Sequence, residues 1–158
     1  MKLGGLWCVF SLAARQDCPY PAHPVANWGE RTDIHVVVWL AFDLSRVSRR
    51  AKAAIDKARK NGEGLAICDI ALLELTALAS KGRIYLDISL ETFLREVEAR
   101  FIVLPIAGRT CVLALRLAAA YLKDSADRII AATALTQGSP LITADGEIQR
   151  SKALPTIC

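Results

Sequence analysis

DSADRIIAATALTQGSPLITAD, residues 124–145, is the stretch from which the fold can be read. Asp124 stands where a helix would begin, ahead of ADRIIAATALTQ, and Gly138 stands where that helix would stop. An aspartate before an apolar-periodic run and a glycine after it are the side chains that helix ends select. PLIT follows as a short apolar run, and Asp145 closes it. A helix followed at once by a buried strand is the unit of a parallel sheet.

The same alternation extends through the chain from Asp33. SRVSRRAKAAIDKARKNG opens on candidate caps, carries Val47, Ala51, Ala54, Ile55 and Ala58 at helical spacing, and ends at Gly62. GLAIC is a buried strand by its length and its glycine and aspartate borders. Asp69 is then a candidate cap for IALLELTALASK, which Gly82 ends. SLETFLREVEAR reads as an amphipathic helix, FIVLPI as a strand, GRTCVLALRLAAAYL as an apolar helix and LPTIC as a last strand. Together these predict an α/β domain, a central parallel sheet with helices on both faces. In such sheets a site forms beyond the carboxyl ends of the strands.

Length and composition agree. The 158 residues suit one domain, and the apolar share of 53% suits a sheet covered on both sides. The net charge of +4 permits a polyanionic partner without demanding one. Five cysteines are scattered with no CxxC pair, which predicts small buried residues in a reducing compartment. The run from Leu3 to Ala14 is a poor secretion signal, because glycines interrupt it and one lysine precedes it. No stretch approaches the ~20 apolar residues of a membrane span. Residues 1–32, with CPYPAHP and NWGERT, read as an irregular extension ahead of a domain at 33–158.

Four acids lie at the predicted borders: Asp33, Glu74, Asp127 and Asp145. Glu74 is flanked by leucines in LLELT, where an isolated carboxylate is costly without a partner or a cation. Each also has an ordinary use. Asp124 and Asp127 can serve the helix start, and for Asp124 that is the preferred reading. Asp145 can make an Asx-turn, and Glu74 can pair with Lys81 or an arginine. Thr143 is a β-branched core residue able to orient Asp145, and Arg128 a solvated charge beside the site.

With these residues in order, the chain resembles the PIN-domain family, and within it the VapC-type toxins of bacterial toxin–antitoxin pairs. The resemblance rests on DIHVVVW from Asp33, ELTALASKGRI from Glu74, DSADRIIAATA around Asp127, and LITAD with Thr143 and Asp145. It implies an endoribonuclease in which Asp33, Glu74, Asp127 and Asp145 hold Mg²⁺ or Mn²⁺. Hard divalent ions of this kind take oxygen ligands and activate water. It further implies an RNA substrate, a small antitoxin that covers the acidic site, a homodimer and a cytoplasmic location. Arg46, Arg49, Arg50 and Arg128 are candidate RNA contacts, and Asp124 and Thr143 supporting residues. His35 occupies the family's histidine position and is expected to be structural.

One departure from the pattern is visible. GERT, not an apolar strand, precedes Asp33, and Ile34 replaces the usual Ser or Thr. The central strand of the sheet is therefore weak in sequence, which keeps open a non-catalytic PIN-like remnant that binds protein. HVVVWLAF itself could be a strand, since valine-rich runs favour β structure. A phosphoacceptor receiver domain fits poorly, because DIH lacks adjacent acids and PTIC lacks a lysine.

Overall fold

The computed structural model describes residues 9–12, 37, 39, 45, 47–117 and 124–158. Their elements run β1 Val9–Leu12, α1 Arg49–Lys60, β2 Gly64–Cys68, α2 Ile70–Ser80, α3 Leu90–Arg100 and β3 Ile102–Leu104. They continue with α4 Gly108–Leu117, α5 Ser125–Gln137, β4 Leu141–Ile142, α6 Gly146–Ser151 and β5 Thr156–Ile157.

The helix ends follow the expected chemistry. Ser48 accepts a hydrogen bond from the Ala51 N–H (3.0 Å), and Ser89 accepts one from the Thr92 N–H (3.1 Å). Asp124 accepts one from the Ala126 N–H (2.7 Å). Gly138 ends α5 with φ +64°, a left-handed conformation that glycine adopts without steric penalty. Asp69 departs from expectation. It is helical in backbone and makes no side-chain cap. Its Oδ2 instead accepts from the Ile106 N–H (3.4 Å), and its own N–H donates to the Leu104 carbonyl, tying the end of β2 to β3.

The strands form one sheet in the order β3-β2-β1-β4-β5. The β2–β3 and β4–β5 pairs are parallel, as expected. β1 is antiparallel to both β2 and β4, pairing Phe10 with Ala66 and Val9 with Ile142. The sheet thus keeps its parallel pairs on either side of one reversed central strand, and residues 9–12 of the extension are not irregular but form that strand. The reason is backbone accounting. A gap between β2 and β4 would leave two rows of buried N–H and C=O groups unpaired. The sequence ahead of Asp33, GERT, is polar, and an apolar segment farther upstream occupies the position.

Because β1 runs against both neighbours, β2, β3, β4 and β5 share one direction, and their carboxyl ends share one edge. Side chains alternate across β2. Leu65 and Ile67 face a cluster of Ala51, Ile55, Ala71, Leu75, Phe93, Val97 and Ile142. Ala66 and Cys68 face Ile130, Ala131, Ala134, Leu141 and Ile148. Both faces are thus covered, and the α/β architecture holds. Val37, also in the first cluster, is fully buried. It and Trp39 have helical backbone, so tertiary packing overrides the β preference of HVVVWLAF at both described positions. Cys68 is buried, but Cys111 and Cys158 are exposed, contrary to the expectation of buried thiols. Among the described residues, no helix is long and apolar enough to cross a membrane.

Candidate active site

The carboxyl edge of the sheet collects the start of α2, the start of α5 and the end of β4. α5 leads into β4, which runs parallel to β2, so α5 itself descends from this edge. It packs against α2 and β2. Thr133 anchors it by donating to the Cys68 sulfur (3.4 Å) at the end of β2. Burial pushes the Cys68 thiol up in pKa, with the Thr133 hydroxyl opposing that shift. Asp127 lies six residues before Thr133, about 9 Å along the helix, and is 4% exposed.

Glu74 sits in the second turn of α2 between exposed Leu73 and fully buried Leu75. Its Oε2 is buried and meets no hydrogen-bond partner among the described residues, so pairing with Lys81 does not satisfy that oxygen. Burial, followed by the like charge of Asp124, pushes its carboxyl pKa up to about 7. Glu74 therefore lies within electrostatic reach of the α5 N-terminus. Asp124 itself is the N-cap, the ordinary role preferred from sequence.

Asp145 follows β4 and is half-buried. Its N–H donates to the Thr143 Oγ1 (3.0 Å), and its Oδ1 accepts from the Ile148 N–H (2.9 Å), capping α6. Thr143, whose hydroxyl accepts that bond, is buried. Arg128 is half-buried, which corrects the expectation of an exposed charge. It folds back on its own helix, Nε to the Asp124 carbonyl (3.3 Å) and Nη2 to the Ser125 hydroxyl (3.0 Å). Arg49 and Arg50 are exposed at the start of α1. Nearby Ser48 and Ala51 share a cavity of about 240 Å³ with Trp39, Thr143, Ala144 and Gln149, so this end of α1 adjoins the Asp145 turn. A larger cavity of about 740 Å³ opens at the amino edge, around Lys57, Asn61, Gln137 and Gly138, and holds none of the acids.

The structure thus brings Glu74 near Asp124, sets Asp127 one turn farther along α5, and puts Asp145 at the same edge. Among the described residues no three His, Cys, Asp or Glu side chains gather into a group able to hold a metal ion. Asp33, His35 and Arg46 lie outside the described residues. Asp69, read from sequence as a helix cap, instead holds the β2–β3 end together, and Gln149, which the sequence reading missed, bonds back to Thr143 (2.9 Å). The only sequence signal for Gln149 was its position four residues after Asp145, one helical turn.

The chain belongs to the PIN-domain family, whose family model matches residues 32–154. Within that family it is of the VapC type. It is 32% identical over 117 residues to Ribonuclease VapC22 of Mycobacterium tuberculosis (strain ATCC 25618 / H37Rv), covering 74% of this chain and 87% of that protein. No solved structure matches.

Proposed function

We propose that this chain is a Mg²⁺- or Mn²⁺-dependent endoribonuclease toxin, restrained by a small cognate antitoxin, acting as a cytoplasmic homodimer. The observation that carries this reading is Glu74. A half-buried carboxylate with an orphaned oxygen, facing another acid, is electrostatically incomplete. A hard divalent cation would take such a carboxylate oxygen as a ligand. Asp33, Glu74, Asp127 and Asp145 would hold it, and the bound ion would supply an activated water and neutralise charge on the leaving oxygen. The VapC-type relative, named as a ribonuclease, supports the substrate class.

The residues divide the work. Glu74, with its raised pKa, carries a proton for part of the time near neutrality, and taking up an ion would release it. Asp127, buried in the first turn of α5, would contribute a carboxylate. Thr143 fixes the backbone of Asp145. Exposed Arg49 and Arg50, with Arg46, would contact RNA phosphates, which predicts salt-sensitive affinity. Arg128, bonded to Asp124 and Ser125, would stiffen the start of α5. Hydrolysis by water would leave a 5′-phosphate and a 3′-hydroxyl.

A second reading, a non-catalytic PIN-like module, is favoured by one observation. β1 is antiparallel, with Leu12 opposite Gly64. The chain therefore leaves the central strand at the amino edge, and that strand delivers no acid to the site. RNA cleavage with Mg²⁺ separates the readings. The nuclease reading expects cleavage by the wild type and background activity for Asp127→Asn, with unchanged circular dichroism. A folded wild-type chain that neither cuts RNA nor binds Mn²⁺ leaves the module.

A further inference from the structure

The short helix α6 does more than follow Asp145. Thr143 is 1% exposed and lies one residue beyond Val9–Ile142, the last pair of the β1–β4 ladder among the described residues. Its N–H is satisfied by the Ile157 carbonyl of β5 (3.1 Å). Among the described residues no strand pairs with its carbonyl, and the side-chain amide of Gln149 donates to it (2.9 Å). Gln149 thus supplies a hydrogen bond to a backbone group that burial forbids leaving unpaired.

That bond acts on Asp145. α6 has six residues, too few to hold its shape alone. Its first turn hangs on the Asp145 Oδ1, which accepts from Ile148, while the Asp145 N–H is held by the Thr143 hydroxyl. Both contacts are local to the turn. Gln149 ties the second turn of the helix back to the end of β4 and so closes a ring of hydrogen bonds around the carboxylate. We propose that Gln149 is a positioning residue, clamping the Thr143–Asp145 turn and setting the direction in which the Asp145 carboxylate faces the site; its bearing on metal rests on the nuclease reading above.

Gln149→Met tests this in the full chain, because methionine keeps the length and packing of the side chain and removes the donor. Hydrogen exchange followed by NMR should show the Asp145 and Ile148 amides exchanging at least ~10-fold faster. The Asp69 amide, bonded across β2–β3, should be unchanged. A purely global loss of stability would speed all three. Mn²⁺ affinity should fall about 10-fold or more, the usual effect of losing a partner behind a ligand. Gln149→Glu, which turns an acceptor toward the Thr143 carbonyl, should behave alike. Exchange of Asp145 and Ile148 within twofold of wild type overturns the clamp. If Asp145→Asn abolishes Mn²⁺ binding but Gln149→Met leaves it within twofold, the positioning role alone is overturned. If the wild type binds no Mn²⁺ at all, the nuclease reading fails and the metal-directed role falls with it, while the exchange data still judge the ring of bonds.

Discussion

Replacing Glu74 by glutamine should make the metal-free protein more stable at pH 8 and change little at pH 4.5. The carboxyl titrates near 7 in the fold, against an ordinary value of 4.5, first because it is buried and second because Asp124 is near. A raised carboxyl pKa means that the folded state binds more protons than the unfolded chain between those two values. Stability therefore falls as pH rises from about 4.5 to 7, and the penalty is fully present above 7. At about 1.4 kcal/mol per pH unit the interval is worth about 3.4 kcal/mol before screening. Glu74 is only half-buried, so water reduces this to about 1–2 kcal/mol. Glutamine keeps the shape and removes the charge. For a chain of this length the gain corresponds to roughly 2–8 °C in Tm. Urea denaturation of both proteins at pH 4.5, 6, 7 and 8, with chelator present, isolates Glu74 as the difference between two curves. A difference that does not grow between pH 4.5 and 7, or a variant less stable than wild type at pH 8, would refute the electrostatic account of this site.

Asp124→Asn should keep the α5 cap, since asparagine caps as well as aspartate, while removing the like charge that faces Glu74. NMR titration should find the Glu74 midpoint lowered by some tenths of a pH unit, a small change because burial is the larger cause. Leu75→Ala removes a fully buried side chain from the cluster beneath α2 and should cost about 2–5 kcal/mol in urea denaturation.

What could be read from the chain was local. Ser48, Ser89, Asp124 and Gly138 end their helices by bonds or dihedral angles set within a few residues. Ala51, Ile55 and Ala58 fall on one helical face at their sequence spacing and are buried together. The carboxyl edge, with Glu74, Asp127 and Asp145 on it, followed from the βα order, because that order fixes where helices begin. Asp69 failed as a cap because its carboxylate found Ile106, 37 residues away, a competitor that no local pattern displays.

The amino-acid sequence by itself determined the alternation of strands and helices, the acids at their borders and the family. Those depend on periodicity and end chemistry, which act over one or two turns. Only the tertiary structure decided that Val9–Leu12 takes the centre of the sheet in reverse, that Glu74 holds its proton to near neutrality, and that Gln149 completes the Thr143 backbone. Strand pairing, burial and a buried carbonyl in need of a donor all depend on groups distant in sequence, so they exist only once the chain has closed on itself.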